Sequence, residues 1–185
     1  MADSKLTALT EDTAPTSDDL VYTVTDPGGT PASRKATLTN LGKGISPAWT
    51  SWSPTLSGRF TDADWTKSGG YQQVGKTVRF RLSLVAADAT PMAGGSGEGT
   101  VALPVTSISY AGTATAQPIG IMQIFDASTS NRFNGYCYWA STTTMALKWW
   151  QVSGTAISNA AIDSTNPMTW TTSDEIFIQG SFEAA

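Results

Sequence analysis

Paired carboxylates are the first side chains in this 185-residue chain whose types and spacing could do chemistry. Two carboxylates facing each other across a cleft would serve a glycosidase, whereas several carboxylate oxygens in one loop would bind calcium. The FTDADW sequence supplies only two such ligands and no third. We interpret the pairs as solvated acids of turns, with a weak calcium site in FTDADW as the alternative. The pairs are Asp18–Asp19, Asp62–Asp64 and Asp174–Glu175.

Other catalytic groups are missing from the sequence. The chain has no His, which is the commonest general base and metal ligand. Its one cysteine, Cys137, cannot build a structural zinc site, and we predict it to be a small buried residue. The glycine-rich run at 94–99 precedes a predicted strand and reads as a loop. The sequence therefore predicts a protein that is not an enzyme and has no catalytic residue, cofactor or metal.

Aromatic residues form the stronger candidate site. Trp149 and Trp150 are adjacent on a predicted strand, so one should enter the core and the other should face outward. An outward Trp could stack on a sugar ring or fill a subunit interface. Arg79 and Arg81 lie on the polar side of another strand, as solvated charges or as intersubunit ion-pair partners. We predict a ligand site or a subunit interface formed by Tyr136, Tyr138, Trp150, Arg79 and Arg81.

These side chains must be positioned by strands. Between Thr77 and Val85 apolar and polar residues alternate, which is the period of a half-buried strand. Similar runs recur every 10–15 residues or so, and no window has helical periodicity. We predict an all-β protein, an antiparallel β-sandwich of jelly-roll type. The strands expected are 50–54, 59–61, 70–74, 77–85, 99–103, 117–126, 133–140, 144–152 and 175–182, with 158–167 as a polar loop.

The first 46 residues differ from the rest. Residues 1–19 are small, polar and acidic, and have too few apolar groups to fold alone. Leu20–Thr25 and Arg34–Leu38 read as two short strands around the turn at 26–31. The sequence thus predicts two domains: an extended N-terminal arm with a short β-hairpin at 1–46, and the β-sandwich at 47–185.

The composition argues against several partners. Charged residues make up 14% of the chain, the net charge is −4 and no basic cluster occurs, so we expect no nucleic acid. No apolar run approaches the length of a membrane span, and the N-terminus lacks the apolar segment of a signal peptide. We expect a protein made in a reducing cytoplasm, with no membrane partner.

Two parts of the sequence resemble structural proteins of tailed bacteriophages. Residues 6–41, LTALTEDTAPTSDDLVYTVTDPGGTPASRKATLTNL, are similar to a segment near the N-terminus of many such proteins. The second part is similar to a β-rich domain of phage virion proteins. It consists of WTSWSPTLSG, YQQVGKTVRFRLSL, LPVTS and TWTTSDEIFIQGSFEA, in that order along the chain.

The resemblance implies a function. It implies a virion protein, assembled in the cytoplasm of the host bacterium, whose arm docks on the major capsid protein or other virion proteins while the β-domain is displayed outward. We expect a capsid decoration or head-fibre protein, and a homotrimer. The alternative is a tail-fibre or baseplate protein that recognises a host surface glycan. The docking residues expected are Leu6, Leu9, Leu20, Tyr22, Val24 and Leu38.

Overall fold

The structure, a computed structural model of the protein, describes residues 20–25, 32–37, 47–92, 97–108 and 117–185. By its internal contacts the chain divides into two units, Met1–Ala48 and Trp49–Ala185. The strands are β1 Leu20–Thr25, β2 Ala32–Thr37, β3 Thr50–Trp52, β4 Leu56–Ser57, β5 Trp65–Val74, β6 Thr77–Ala86, β7 Thr100–Ala102, β8 Pro118–Phe125, β9 Arg132–Trp139, β10 Thr144–Ser153, β11 Ala156–Ala161 and β12 Glu175–Glu183.

The first unit contains a β-hairpin. β1 and β2 pair in antiparallel register, with Leu20 opposite Thr37 and Thr25 opposite Ala32. The two strands expected around the turn at 26–31 are therefore present, the second of them beginning and ending slightly earlier. Of the predicted docking residues, Leu6, Leu9 and Leu38 lie outside the described residues, as do the side chains of Leu20, Tyr22 and Val24.

The second unit is one curled antiparallel sheet of ten strands. Along the sheet the order is β3-β5-β6-β12-β8-β9-β10-β7-β4, and β11 pairs with the second half of β10. The predicted main strand is β6, which ends at Ala86 and lies between β5 and β12. The strand expected at 117–126 is β8, and its predicted central position is confirmed because it pairs with β12 and β9.

The register keeps the apolar side chains of neighbouring strands on one face. Phe80 of β6 stands opposite Gly180 of β12, and Leu82 stands opposite Ile178. In the same way Ile178 faces Met122 of β8. Because side chains alternate along every strand, this register gathers one buried face, which we call the core face, and leaves the other face outward.

The curl of the sheet closes the core. Leu56 of β4 and Val101 of β7 belong to the last two strands, yet they pack in the same buried cluster as Trp52 of β3 at the opposite end. A flat sheet would hold these strands far apart. The core face is thus covered by the ends of its own sheet and by connecting segments. Edge-to-face contacts between aromatic rings close one end of the core. The ring centroid of Trp65 lies 5.6 Å from that of Phe60 and 5.4 Å from that of Trp170.

Several predicted boundaries were wrong for local reasons. β5 begins at Trp65 instead of residue 70, because the small residues Ser68 and Gly69 before the predicted start carry no strand signal. The region 158–167, expected to be a loop, begins with the second half of β11. Residues 156–159 of this strand are exposed, so backbone pairing with β10 and not burial makes it a strand. The strand expected at 59–61 is a single bridge between Phe60 and Met92.

The structure confirms the coarse fold class: the chain is all-β and antiparallel, and helix is limited to the 3₁₀ turn Asp62–Asp64 among the described residues. In this described part of the chain, no helix has the length and apolar character that crossing a membrane requires.

Phe80 tests the assignment of the core face. Its side chain is 2% exposed, and its ring centroid lies 6.0 Å from that of Trp52 and 5.9 Å from that of Phe182. We expect Phe80→Ala to lower the free energy of unfolding by about 3–5 kcal/mol, because a buried aromatic is lost and a cavity remains. Urea denaturation followed by tryptophan fluorescence measures this change.

Phe177→Ala is the matched control, because Phe177 is also a sheet phenylalanine but lies on the outward face and is 39% exposed. Its substitution should cost less than about 1 kcal/mol, as surface substitutions usually do. Equal losses from both variants would show that the two faces are not distinct.

Candidate functional site

The outward face of the sheet is the part of the surface with unusual chemistry. Alternation places the side chains opposite to the core on this face, which we call the open face and which runs from β5 to β11. Its members include every large hydrophobic side chain found exposed among the described residues. A surface where exposed apolar groups are collected on one side is typical of a binding surface. These residues are Trp49, Val74, Ile121, Trp150, Val152, Ile157 and Phe177.

The structure brings four of the five predicted interface residues to the open face. Arg79 and Arg81 are exposed on β6, and Trp150 is 48% exposed on β10. Tyr136 of β9 is half-buried, and its ring centroid lies 6.3 Å from that of Trp150. Of the adjacent tryptophans, Trp149 packs against the core and Trp150 faces outward, so this prediction is confirmed.

Tyr138 is the fifth predicted residue, and its side chain is only 3% exposed. Its hydroxyl donates a hydrogen bond to the carboxylate of Glu98. Lys148 forms an ion pair with the same carboxylate at 3.1 Å, and its ammonium lies 5.3 Å from the Tyr138 ring centroid. Burial and the charge of Glu98 raise the pKa of Tyr138. Tyr138 therefore belongs to a satisfied cluster at the side of the open face.

A groove crosses the strands on the open face. It encloses about 700 Å³ and passes over β5, β6, β12, β8, β9 and β10. Polar side chains and two exposed aromatic rings alternate along it. We call it the cross-strand groove. The outward side chains that line it are Ser68, Arg81, Ser83, Ile121, Gln123, Asn134, Trp150, Phe177 and Gln179.

Neighbouring groups hold two sides of the cross-strand groove in place. The Arg81 guanidinium lies over the ring of Trp49, with 4.5 Å between its central carbon and the ring centroid. On the other side, Arg132 donates a hydrogen bond to the Gln123 side-chain carbonyl at 2.7 Å. The Gln123 amide in turn donates to the Asn134 side-chain oxygen at 3.3 Å. Both sides therefore present oriented polar groups.

Sequence reasoning missed part of this groove. Phe177, Gln179, Gln123 and Asn134 line it, but they were not singled out as site residues. Alternation in EIFIQGSF does place Phe177 and Gln179 opposite to the core. What the sequence did not give is the strand order, which sets β12 between β6 and β8 and so makes these residues neighbours of Arg81 and Ile121.

In two of the predicted carboxylate pairs, hydrogen bonds from neighbouring residues hold one of the two carboxylates. Asp62 accepts hydrogen bonds from Lys67 at 2.8 Å and from the Leu56 amide at 2.6 Å, and these bonds hold its pKa below the ordinary value. The prediction of a solvated acid was wrong for Asp174, which is fully buried and whose carboxylate accepts hydrogen bonds from the Ala127 and Thr171 amides. Asp18 and Asp19 lie outside the described residues. Within residues 47–92, 97–108 and 117–185, no three carboxylate or thiol side chains gather as a metal site would need.

Cys137 is fully buried, as predicted. Burial raises the pKa of its thiol to about 12, so the thiolate form that reacts with electrophiles is suppressed.

Comparison with known proteins gives no relative for this chain: no protein-family model, no curated protein and no solved structure matches it. The chemistry of the open face is therefore argued from its own residues.

The Tyr138–Glu98 contact predicts a delayed tyrosine titration. The ordinary pKa of tyrosine is about 10, and we expect the Tyr138 phenol of the native protein to ionise at a higher pH than this. Glu98→Gln should bring that step to lower pH, because the adjacent negative charge disfavours the phenolate. Absorbance at the phenolate band during a pH titration measures it. A single step unchanged by Glu98→Gln would contradict the arrangement.

Proposed function

We propose that this chain is a non-enzymatic structural protein of a tailed-phage particle, a capsid decoration or head-fibre protein. Its N-terminal arm would dock on the major capsid protein or another virion protein, and its sheet unit would be displayed outward. The motifs at 6–41 and in the sheet unit support this role, as does the division of the chain into Met1–Ala48 and Trp49–Ala185.

The single observation that carries a binding role is the one-sided collection of exposed apolar side chains on the open face. Among the described residues, Trp150, Phe177 and Ile121 are exposed there together with amide side chains. Such a surface makes contacts, and among the described residues that line its cross-strand groove there is no carboxylate pair of the kind that hydrolyses a polymer. We propose accordingly that the sheet unit binds a partner and catalyses no reaction.

We further propose that the protein is a homotrimer with a subunit contact at the end of the β10–β11 hairpin. β9 pairs with β10 only as far as Trp149, whereas β11 pairs with it from Lys148 to Ser153. Beyond β9, Val152 and Ile157 stand opposite each other and are both 77% exposed. Covering this apolar pair in a neighbouring subunit would remove it from water.

The jelly-roll form of the sandwich is also a proposal. What supports it is the curl that brings β4 and β7 into the same core as β3.

A second role, recognition of a host surface glycan from a tail fibre or baseplate, is favoured by one observation. The cross-strand groove combines exposed aromatic rings with side-chain amides, as sites for sugars require.

Deletion of residues 1–41 tests the docking role. The sheet unit has its own core, so we expect the truncated protein to stay folded and soluble but to lose binding to particles assembled without it. Co-sedimentation of purified protein with those particles measures binding, and circular dichroism checks the fold. Binding that survives the deletion would reject docking by the arm.

Copy number separates the two locations on the particle. A decoration protein should occur at hundreds of copies, in a fixed ratio to the major capsid protein, because it occupies repeated capsid sites. A tail protein should occur at a few to tens of copies. Quantitative mass spectrometry of purified particles gives this ratio, and a value in the lower range would reject the decoration role.

A further inference from the structure

We propose that the cross-strand groove binds an extended acidic polysaccharide, with Trp150 as the stacking platform and Arg81 as the carboxylate partner. This inference deepens the second role above and rests on it for its biological setting. Its physical basis is the groove alone.

The groove has the direction and length for a polymer. It lies across the strands, from β6 with Arg81 to β10 with Trp150. Four strand spacings separate these two residues, which is about 19 Å at ~4.8 Å per spacing. Several consecutive sugar rings would therefore lie in the groove.

Aromatic rings supply the apolar contacts that a sugar ring needs. Trp150 is 48% exposed, and Tyr136 packs beside it with ring planes inclined by 33°. Phe177, 39% exposed, lies in the same groove on β12, which is the strand next to Arg81's strand β6. The C–H face of a pyranose can lie on such a ring while its hydroxyl groups point sideways to polar groups.

Amide side chains supply those polar groups. Gln179 is exposed in the middle of the groove, where it stands opposite Arg81 and Ile121 of the two neighbouring strands. Gln123 and Asn134 are linked to each other at 3.3 Å, and Arg132 fixes Gln123 from outside. A fixed amide loses little conformational freedom when it binds a hydroxyl group.

Charge selects an acidic polymer. Arg81 is the one charged residue among the described residues that line the groove, and none of the described carboxylates forms an ion pair with it. Its guanidinium stays exposed while Trp49 supports it from one side. A planar guanidinium binds a carboxylate by two parallel hydrogen bonds, so a uronic acid fits this position.

The same charge argues against a second copy of this face as the occupant. Two symmetry-related grooves packed together would bring Arg81 toward a surface whose lining offers no carboxylate.

The test uses the purified full chain and polymers that differ in charge only. Polygalacturonate, alginate and hyaluronate are titrated by calorimetry, each against its methyl ester, which keeps the sugar chain and removes the charge. We expect at least one acidic polymer to bind, its ester to bind about tenfold more weakly, and added salt to weaken the acidic form. No binding to any of the three, or equal binding of acid and ester, would overturn the proposal.

Two pairs of variants locate the site. Trp150→Ala and Arg81→Gln should each weaken binding about tenfold. Val74→Ala and Arg79→Gln are matched controls, because both residues are exposed on the same face but do not line the groove, and they should leave affinity unchanged. Equal loss in all four variants would overturn the assignment.

Further measurements on these variants separate the proposals from one another. Sedimentation velocity of Trp150→Ala reports whether the groove holds a second copy, and a shift to monomer with polymer binding intact would overturn the polysaccharide assignment. Particle co-sedimentation is measured in parallel. Groove variants should still bind particles, and deletion of residues 1–41 should leave polymer affinity unchanged, so either proposal can fail without the other.

Discussion

Antiparallel backbone pairing in a fixed register is the constraint on which the rest of this structure depends. Strands such as β6 and β12 alternate in polarity, but alternation alone leaves each strand free to turn either way. The ladders from β5 through β6, β12 and β8 lock Phe80, Ile178 and Met122 to the same side. One slip of a single residue would move a whole strand's apolar set outward. The core and the open face are therefore two consequences of one hydrogen-bond pattern.

The sequence predicted those elements whose signal is carried by side chains. β6 and β12 were placed almost residue by residue, because their apolar positions recur with period two and enter one core. β11 was missed because its exposed residues carry no such signal. The turn before β11 does contain a glycine where a tight hairpin needs one. Gly154 has a φ of 63° in the two-residue connection between β10 and β11. Backbone pairing, not burial, makes that strand.

Only part of the candidate site could be predicted from the sequence, for a related reason. Alternation alone indicated that Arg81 and Trp150 face away from the core. It could not show that four strand spacings separate them, or that Phe177 and Gln179 lie between, since strand order arises from contacts distant in sequence. Tyr138 had the right alternation as well, yet Glu98 and Lys148 from other parts of the chain cover its ring. Neighbours across the sheet, rather than residue type, decide which side chains remain available.

The central claim is that the sheet unit has one covered face and one face that stays open in the free protein. Hydroxyl-radical footprinting of the full chain, with mass spectrometry of each modified side chain, tests this most directly. The account predicts fast oxidation of Trp150, Phe177 and Ile121, at rates near those of the unfolded chain, and strong protection of Phe80, Trp170 and Ile178. Equal protection of both sets in the free protein would show that the open face is covered, and would contradict the account.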